Sequence, residues 1–365
     1  MQMFEILENF KIDGTIVHAE RYGNGHINKT YLITTTQNER FIVQQINTNV
    51  FKNPTDVMHN IELVTSHLRK RNGIEKEDPD RGALEIIRTL QNKTYFKLQD
   101  RYWRCYRFIE GAKTYEKITS PNQFYEVGTA VGKFQKYLCD FPIDELKITI
   151  PDFHNTPKRF EDFLKIASKD KMHRGMDVFN EIKFVFDRQN DIKTIMKLLD
   201  NEQIPLRVTH NDTKLNNVML DEKTDKAICI IDLDTVMPGS VLFDFGDAIR
   251  VGASTAVEDE EDLNKVELDL SLFKEFSQGF LEVMHEDLTD LEKENLVTST
   301  KIITMECGMR FLTDYLDGDK YFNIEKPDHN LIRARTQFKL VSEIESKESE
   351  MEKIINEILT HLKTT

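Results

Sequence analysis

A chain of 365 residues is longer than one hydrophobic core usually supports, so we expect two domains or lobes. Its residues are 39% hydrophobic and 31% charged, which indicates a folded globular protein and excludes a largely disordered one. With 49 basic against 63 acidic residues the net charge is -14, which repels polyanions, so we expect no nucleic-acid partner.

The chain also lacks the patterns of membrane and secreted proteins. No apolar run is long enough to cross a bilayer, and the N-terminal MQMFEILENFKIDG carries acids where a signal peptide carries lysines and then an apolar stretch. The cysteines are far apart and form no C-x-x-C pair, so neither a zinc knuckle nor a disulfide framework is indicated. We therefore expect a cytoplasmic protein with no membrane contact, and we infer no obligate protein partner.

The first part of the chain is predicted to be rich in strands. After a short helix, segment 21–47 reads as two β-strands joined by the polar turn 36–39, because apolar and polar residues alternate on both sides of the turn. A helix follows, with Thr55 placed to cap its start and apolar residues at steps of three and four. These apolar residues are Met58, Ile61, Val64 and Leu68.

Three more strands are predicted, in ALEIIRTL, TYFKL and YWRCYRFIEG, although ALEIIRTL is also compatible with a helical turn. The single tryptophan, Trp103, is expected in the core of the last of these strands. Strands that flank one helix in this order describe a small antiparallel sheet. Residues 1–109 are therefore predicted to form an N-terminal lobe.

Residues 110–365 are predicted to form a larger, mostly helical lobe. Its first helix is indicated by a stripe of apolar residues: Phe124, Val127, Val131, Phe134 and Leu138. Two short apolar strands, in VTHNDTKLNNVMLD and AICIIDLD, flank the turn 221–226. The pattern as a whole predicts an α+β fold with two lobes.

The segment that starts at His210 matches H-x-D-x-x-x-x-N and directly precedes the strand VML. In protein-kinase-like folds this is the catalytic loop, in which the aspartate, here Asp212, accepts the proton of the attacking hydroxyl. The asparagine, here Asn217, ligates magnesium. On these letters alone, a polar turn with a hydrogen-bonded aspartate is an equally good interpretation.

The neighbouring sequence favours the kinase interpretation. A kinase of this fold needs a second carboxylate at the end of the adjoining strand, so that both ligands meet one ion. Asp232 meets this requirement, because it closes the apolar strand one short hairpin after Asn217. Asp244 begins a literal D-F-G but lies beyond Pro238 and Gly239, too late in the chain to share that hairpin.

Four longer stretches carry a family resemblance: GNGHINKTYLI, THNDTKLNNVML, IDLDTVMPGSVLFDFGDAIR and RFLTDYLDGDKYF. From about residue 21 to residue 322 the chain resembles the aminoglycoside phosphotransferase and choline kinase-like small-molecule kinases. Within that group it is most similar to bacterial N-acetylhexosamine 1-kinases, which phosphorylate the anomeric hydroxyl of N-acetylglucosamine and N-acetylgalactosamine. The resemblance implies a bilobal protein-kinase-like fold, ATP and Mg²⁺ as cofactors, and a small-molecule sugar as substrate.

The resemblance also implies roles for the acids of the catalytic region. Asp212 is the expected base, and Asn217 and Asp232 are the expected magnesium ligands. Asp244 matches the trailing acid of the group, which braces the catalytic loop. Asp234 lies beside the metal site and is expected to contact metal or sugar. For Asp247 we expect an ion pair with Arg250.

The nucleotide is expected to lie under Gly23-Asn24-Gly25, since glycines permit positive φ and let backbone N–H groups approach phosphates. By itself this tripeptide is more typical of a plain turn. The backbone of Phe108, Ile109 and Glu110 is expected to meet the adenine. The chain departs from the wider kinase pattern at the third strand, where Gln44 and Gln45 stand in place of the usual lysine.

A neutral amide hydrogen-bonds a phosphate but does not neutralise it. Lys214 is therefore expected to supply positive charge at the γ-phosphate, with Lys29 as a further source. The helix acid that usually pairs with the strand lysine is Glu62, which we interpret here as a surface acid.

The acceptor site is expected from His26, Asp234, Arg310 and Tyr321. A guanidinium binds sugar oxygens or an acetamido carbonyl through paired donors, and a tyrosine adds a ring face and a hydroxyl. The alternative is an Arg310–Asp314 pair along one helix, with Tyr321 as a packing residue.

Two other functions stay open at this point. One is a kinase for another acceptor: choline, homoserine, a methylthio-sugar or an aminoglycoside. The other is a catalytically silent, kinase-like binding protein, which the missing strand lysine makes conceivable. Polycationic acceptors favour a cleft lined by several acids, whereas the arginine of the acceptor segment favours a neutral sugar.

Overall fold

The structure is a computed structural model that describes residues 2–23, 27–75, 77–78 and 80–364. The chain divides into two compact units. The N-terminal unit comprises Met1–Thr114, Asp140–Pro151 and Met219–Pro238, and the C-terminal unit comprises Tyr115–Cys139, Asp152–Val218 and Gly239–Thr365. The predicted lobes were continuous stretches, whereas these units interleave along the chain.

The helices and strands have the following bounds. The strands are β1 Ile16–Arg21, β2 Lys29–Thr35, β3 Arg40–Ile46, β4 Phe96–Leu98, β5 Arg101–Arg107, β6 Ala112–Lys113, β7 Arg207–Thr209, β8 Val218–Asp221, β9 Ala227–Ile230 and β10 Met237–Gly239. The helices are α1 Gln2–Leu7, α2 Pro54–Ile74, α3 Pro121–Tyr137, α4 Thr156–Lys169, α5 Phe179–Asp187, α6 Thr194–Asp200, α7 Val241–Gly252, α8 Leu270–Met284, α9 Asp290–Glu294, α10 Leu296–Asp317 and α11 His329–Leu362.

The N-terminal unit contains an antiparallel sheet with the strand order β1-β2-β3-β5-β4. The predicted hairpin is confirmed, because β2 and β3 pair on either side of the turn 36–39. Side chains from β2, β3 and β5 form the core of this unit, among them Ile33, Phe41, Val43 and Trp103. The core position predicted for Trp103 is therefore confirmed.

Three details of the N-terminal unit differ from the predictions. The exposed strand β1 was not predicted, because its side chains do not alternate between a core and solvent. The predicted strand in ALEIIRTL is wrong, since this segment forms only the isolated bridges Ile86 to Tyr106 and Phe10 to Thr89. The cap predicted at Thr55 is also wrong, because α2 begins at Pro54, whose fixed φ suits the first helical position.

A smaller sheet of the N-terminal unit has the strand order β6-β8-β9. Strands β8 and β9 are the two that were predicted around the turn 221–226. The Asp221 N–H donates to the Lys226 carbonyl at 2.8 Å and closes that turn. Asp232 and Asp234 follow directly after β9, so this hairpin carries both acids.

The C-terminal unit is mostly helical, and α10 packs against α4, α7 and α11. The stripe predicted for α3 is buried and is therefore confirmed. Helices α3 and α8 approach closely through glycines, since a Cβ at Gly128 would lie 2.2 Å from the Phe276 carbonyl oxygen. No described helix combines the length and apolar character that a membrane span requires. All four cysteines are free.

Candidate active site

The predicted catalytic loop lies between β7 and a short 3₁₀ turn, Leu215–Asn217, that leads into β8. The Asp212 carboxylate is partly buried, and its Oδ1 lies 3.2 Å from Lys214 Nζ. Asn217 Nδ2 donates to Asp212 Oδ2 at 3.1 Å and to the Asp212 carbonyl at 2.8 Å. Three residues predicted to act together are thus held together in the C-terminal unit.

These hydrogen bonds orient the Asn217 amide. Because Nδ2 faces Asp212, the amide oxygen is turned to the other side, where it accepts no hydrogen bond from the part of the chain that the structure describes. Amide and carboxylate oxygens are the hard donors that magnesium prefers. The orientation of Asn217 therefore suits a ligand of a divalent cation.

Asp244 anchors this loop and is fully buried in the first turn of α7. Its Oδ1 accepts the Asn211 N–H at 2.7 Å, and its Oδ2 accepts the His210 N–H at 2.9 Å and Gln135 Nε2 at 2.6 Å. The Thr213 hydroxyl donates to the Asp244 carbonyl at 2.6 Å. Burial raises the pKa of Asp244 above its ordinary value, because it outweighs these N–H donors, which lower it. The interpretation of Asp244 as a structural brace is confirmed.

His154 holds the other side of the predicted catalytic loop, and no sequence pattern predicted this contact. One ring nitrogen, Nε2, lies 3.1 Å from the Asn211 carbonyl oxygen, and the other, Nδ1, lies 2.9 Å from Glu306 Oε1. Both partners only accept hydrogen bonds, so both nitrogens donate and the ring is positively charged. Burial lowers the pKa of His154, but the charge and hydrogen bond of Glu306 outweigh it and raise this pKa above the ordinary 6.5.

The ion pair predicted between Asp247 and Arg250 is confirmed. Asp247 Oδ1 accepts from Arg250 Nε at 3.0 Å and from Nη2 at 2.9 Å, and both side chains are buried in α7. Arg250 Nη1 also donates to Glu258 at 3.0 Å. Burial raises the pKa of Asp247, but the Arg250 charge outweighs it and holds this pKa below its usual range.

In the N-terminal unit, Asp232 is exposed and adopts the left-handed conformation, with φ 62°. Aspartate tolerates this region better than bulky residues, and the conformation ends β9 abruptly. Asp234 lies in the following 3₁₀ turn, Leu233–Thr235, and is only 3% exposed.

Asp234 belongs to a buried network that the sequence did not reveal. Its carboxylate forms an ion pair with Arg104 of β5 and accepts Asn28 Nδ2 at 2.7 Å. Arg104 Nε also donates to Gln44 Oε1 at 2.9 Å, and the two residues are partners across β3 and β5. Burial lowers the pKa of Arg104, but Asp234, Tyr106 and Asp232 outweigh it and raise this pKa. A guanidinium from the neighbouring strand thus meets Gln44, at the position where a lysine was expected.

Only part of the predicted glycine loop lies within the described residues. Gly23 has φ 72°, and a Cβ at this position would meet nothing within 4 Å. Its glycine therefore serves the backbone conformation rather than a close contact. Asn24, Gly25 and His26 lie outside the described residues.

In the predicted adenine segment, one residue has neither its N–H nor its carbonyl bonded to another described residue. The Phe108 N–H donates to the Arg40 carbonyl at 3.0 Å, and the Glu110 carbonyl accepts from Arg81 at 3.3 Å. Ile109 is buried, and its backbone hydrogen-bonds to no residue in the described ranges. Glu110 is exposed, and its carboxylate pairs with Arg40 at 2.9 Å. Ile109 is therefore the better candidate for an adenine contact.

Lys29 was expected as a further source of positive charge, and Glu62 stands at the position of the acid that usually pairs with the strand lysine. Glu62 is a partly exposed residue of α2 and pairs with Arg88. Lys29 is exposed at the start of β2. Neither forms a hydrogen bond with Gln44 among the residues described, since the Gln44 amide bonds to Thr30 and Arg104.

In the acceptor segment, the structure contradicts the alternative Arg310–Asp314 pair. Asp314 instead accepts the backbone N–H groups of Lys320, Tyr321 and Phe322 at 2.8 to 2.9 Å. Tyr321 is 63% exposed, so it is not a packing residue. The Arg310 guanidinium lies 5.9 Å from the centre of the Tyr321 ring and 5.5 Å from that of Phe322.

The family model of the phosphotransferase enzyme family matches residues 18–274. The structure is similar to that of a microcompartment-associated aminopropanol kinase, with 13% identity, a TM-score of 0.64, and coverage of 96% of this chain and 98% of that one. It is similar to spectinomycin phosphotransferase in complex with ADP and spectinomycin, with 14% identity, a TM-score of 0.58, and coverage of 96% and 98%.

A third similar structure is an amicoumacin kinase in complex with AMP-PNP, Ca²⁺ and Ami, with 12% identity, a TM-score of 0.57, and coverage of 90% of this chain and 88% of that one. At these identities the likeness concerns the fold. The predicted α+β, protein-kinase-like fold, with an antiparallel sheet in its N-terminal part and a mostly helical C-terminal part, is confirmed.

Proposed function

The chain belongs to the phosphotransferase enzyme family and is a small-molecule kinase of that family, and we propose that its acceptor is an N-acetylhexosamine. The proposed reaction moves the γ-phosphoryl group of ATP to the anomeric C1 hydroxyl of N-acetylglucosamine or N-acetylgalactosamine and gives the sugar 1-phosphate and ADP. The observation that carries the proposal is the carboxylate of Asp212, which Asn217 orients by a hydrogen bond and Lys214 approaches at 3.2 Å.

Asp212 is proposed as the general base. Its backbone is fixed indirectly, because Asp244 binds the N–H groups of the two preceding residues. A carboxylate fixed in this way accepts the proton of the acceptor hydroxyl while the hydroxyl oxygen attacks the γ-phosphorus. Lys214 then offers positive charge to the transferred phosphoryl group.

Asn217 and Asp232 are proposed as the protein ligands of magnesium. The Asn217 amide oxygen is turned away from Asp212, and the Asp232 carboxylate is exposed at the end of β9. Magnesium at nucleotide sites takes one or two side-chain ligands and fills its other positions with phosphate and water oxygens. When bound, it neutralises charge on the phosphate oxygens.

Arg310 and Tyr321 are proposed to bind the sugar, since both present polar groups beside aromatic rings. His26 and Asp234 remain candidates for sugar contacts. His26 lies outside the described residues. Both oxygens of Asp234 already have partners, Arg104 and Asn28, so a sugar contact requires that one of these partners be exchanged.

The proposal is tested by magnesium-dependent ATP consumption with a panel of acceptors. The panel contains both N-acetylhexosamines, the free hexosamines, choline, homoserine, a methylthio-sugar and an aminoglycoside. We expect the highest kcat/KM with the N-acetylhexosamines. Faster turnover of an amino alcohol would replace the proposed acceptor, and no turnover with any compound would support the silent binding protein.

The role of Asp212 has its own test. Asp212→Asn keeps the side-chain shape but removes the proton acceptor, so we expect kcat to fall by about 10²- to 10⁴-fold while ATP binding is retained. Glu222→Gln, in the exposed turn between β8 and β9, is the matched control and should retain the wild-type rate. A near-normal rate for Asp212→Asn would remove the assignment.

A further inference from the structure

Two arginines of the C-terminal unit border one cavity of about 190 Å³ beside Tyr321 and Phe322. Arg310 lies on α10 and Arg159 lies on α4. Arg159 was not among the site residues predicted from the sequence. Both side chains are partly buried. The cavity therefore joins the predicted acceptor residue Arg310 to a second guanidinium.

Both guanidinium groups have unused donors. Arg159 Nη2 donates to the Phe153 carbonyl at 3.2 Å, but its Nε is buried and has no partner. Arg310 lies against aromatic rings and makes neither a hydrogen bond nor an ion pair with the residues that the structure describes. A buried donor without a partner is costly, so a ligand that offered an acceptor oxygen to Arg159 Nε would be stabilised here.

The acids around the cavity are already engaged. Asp162 Oδ1 lies 2.9 Å from Lys158 Nζ and 3.2 Å from Lys165 Nζ. Asp317 pairs with Lys320 at 3.0 Å. Asp314 binds backbone N–H groups of the loop that carries Tyr321. None of these three acids forms an ion pair with Arg159 or Arg310 among the described residues.

The charge of Arg310 also disfavours the charge of Arg159. Burial lowers the pKa of Arg159, and the positive charge of Arg310 lowers it further. Glu306 attracts both, but its oxygens are already bonded to His154 at 2.9 Å and to Thr156 at 2.6 Å. A bound group with oxygen acceptors would relieve this repulsion, whereas a bound cation would add to it.

We propose that Arg159 and Arg310 form a paired-guanidinium subsite that binds the oxygen-bearing substituent of the acceptor and excludes acceptors with a positive amine. The inference rests on the proposed function, within which the substituent is the acetamido carbonyl of the N-acetylhexosamine. Arg159 is then a specificity-determining residue, because two guanidinium groups in fixed positions donate hydrogen bonds to the planar carbonyl and to the neighbouring hydroxyl oxygen. Tyr321 and Phe322 supply apolar ring faces beside them.

The test compares N-acetylglucosamine with glucosamine, which differ in the carbonyl and in the charge of the amine. Arg159→Met removes both charge and donors, so we expect the KM for N-acetylglucosamine to rise by about 10- to 100-fold, the range for loss of a charge-assisted hydrogen bond. The ratio of the two kcat/KM values should fall by a similar factor. The KM for ATP should not change, because the cavity serves the acceptor alone.

Two further variants separate specificity from folding. Arg159→Lys keeps the charge but loses the fork, so it should still discriminate against glucosamine while it binds N-acetylglucosamine more weakly. Lys169→Met, at an exposed position of the same helix, is the control and should behave as wild type. Unchanged KM and unchanged discrimination in both Arg159 variants would overturn the inference.

Failure of the proposed function can be told apart from failure of this inference. If the acceptor panel identifies another substrate, the same variants are measured with that substrate and with an analogue that differs by one positive amine. A loss of discrimination in Arg159→Met then supports the subsite with a different acceptor. Unchanged discrimination overturns the subsite, whichever acceptor the enzyme uses.

Discussion

Two buried aspartates, Asp234 in the N-terminal unit and Asp244 in the C-terminal unit, are stabilised by partners of different kinds. Asp244 is held by neutral donors, namely two backbone N–H groups and the Gln135 amide. Asp234 is held by the charge of Arg104, with Asn28 as a second donor. A buried carboxylate needs partners of one kind or the other, because a bare buried charge is too costly to keep.

The difference indicates what each acid stabilises. Neutral N–H groups that converge on Asp244 fix the backbone of the catalytic loop, so this acid acts on loop conformation. The ion pair of Asp234 joins the turn after β9 to strand β5, and through Arg104 to Gln44 of β3. The charge of Asp234 therefore compensates the buried charge of Arg104 in the sheet. The charge of Asp232 also stabilises the charged form of Arg104.

The largest effect is expected when only one member of the Arg104–Asp234 ion pair is replaced. Arg104→Met leaves Asp234 buried with Asn28 as the one remaining donor among the described residues, so we expect the free energy of unfolding to fall by about 3–5 kcal/mol. Urea denaturation at neutral pH measures this difference.

The double variant Arg104→Met with Asp234→Asn is the control for that prediction. It removes both charges and keeps an oxygen acceptor for Asn28, so it should be more stable than Arg104→Met alone. If the double variant were less stable than the single one, the charge of Asp234 would not be the source of the cost.

The hydrogen bonds from neutral donors to Asp244, called here the neutral network, should contribute less to stability than the ion pair of Arg104 and Asp234. Asp244→Asn keeps the shape but turns an NH₂ group toward donors that now lack an acceptor, so we expect a loss of about 2–4 kcal/mol in unfolding free energy. The kcat should fall as well, because the loop that carries Asp212 is loosened. Near-normal stability together with normal kcat would contradict the bracing role, and both are measured on one preparation.

Local spacing in the sequence was enough to predict the loop and the hairpin that carry the candidate site residues. The catalytic loop, the hairpin that ends near Asp232, and the rejection of Asp244 as a ligand all depend on residues close together in the chain. The bracing role of Asp244 was implied by the family resemblance. The same local patterns predicted the hairpin of β2 and β3 and the buried stripes of α2 and α3.

Partners that are far apart in sequence left no such signal. His154 and Glu306 are 152 positions apart, and Arg104 and Asp234 are 130 apart, so only the fold brings each pair together. Buried and exposed side chains do not alternate in β5, because Trp103, Arg104 and Cys105 are all buried. The sequence pattern therefore does not predict that Arg104 is buried. The exposed strand β1 and the misassigned ALEIIRTL show the same limit, since neither has a simple one-sided burial pattern.

The charge of His154 offers a test that is specific to the C-terminal unit. Because its folded pKa is raised, its contribution to stability is complete below the ordinary 6.5 and is lost as pH rises through the folded value. Deprotonation then removes one of its two hydrogen bonds, worth about 1.5–3 kcal/mol. The charge of Asp247 also favours the protonated ring.

The measurement follows unfolding free energy from about pH 6 to about pH 9 for the wild type and for His154→Gln. We expect the difference between the two proteins to be largest at the acid end and to shrink as pH rises. Glu306 does not produce this trend, because its lowered pKa affects stability only as pH falls below the ordinary 4.5. A difference that stays constant with pH would show that the ring is neutral.

The smallest effect is expected at the start of α7, the helix that presents Asp244. The buried Ser240 is its N-cap, and the Ser240 hydroxyl accepts the Leu242 N–H at 3.3 Å. Ser240→Ala removes this bond but leaves the oxygens of Asp244 bonded, so we expect a loss of about 1 kcal/mol in unfolding free energy with kcat unchanged. If kcat also fell, the cap and the brace would be one cooperative unit, and the neutral network would extend from Ser240 to the catalytic loop.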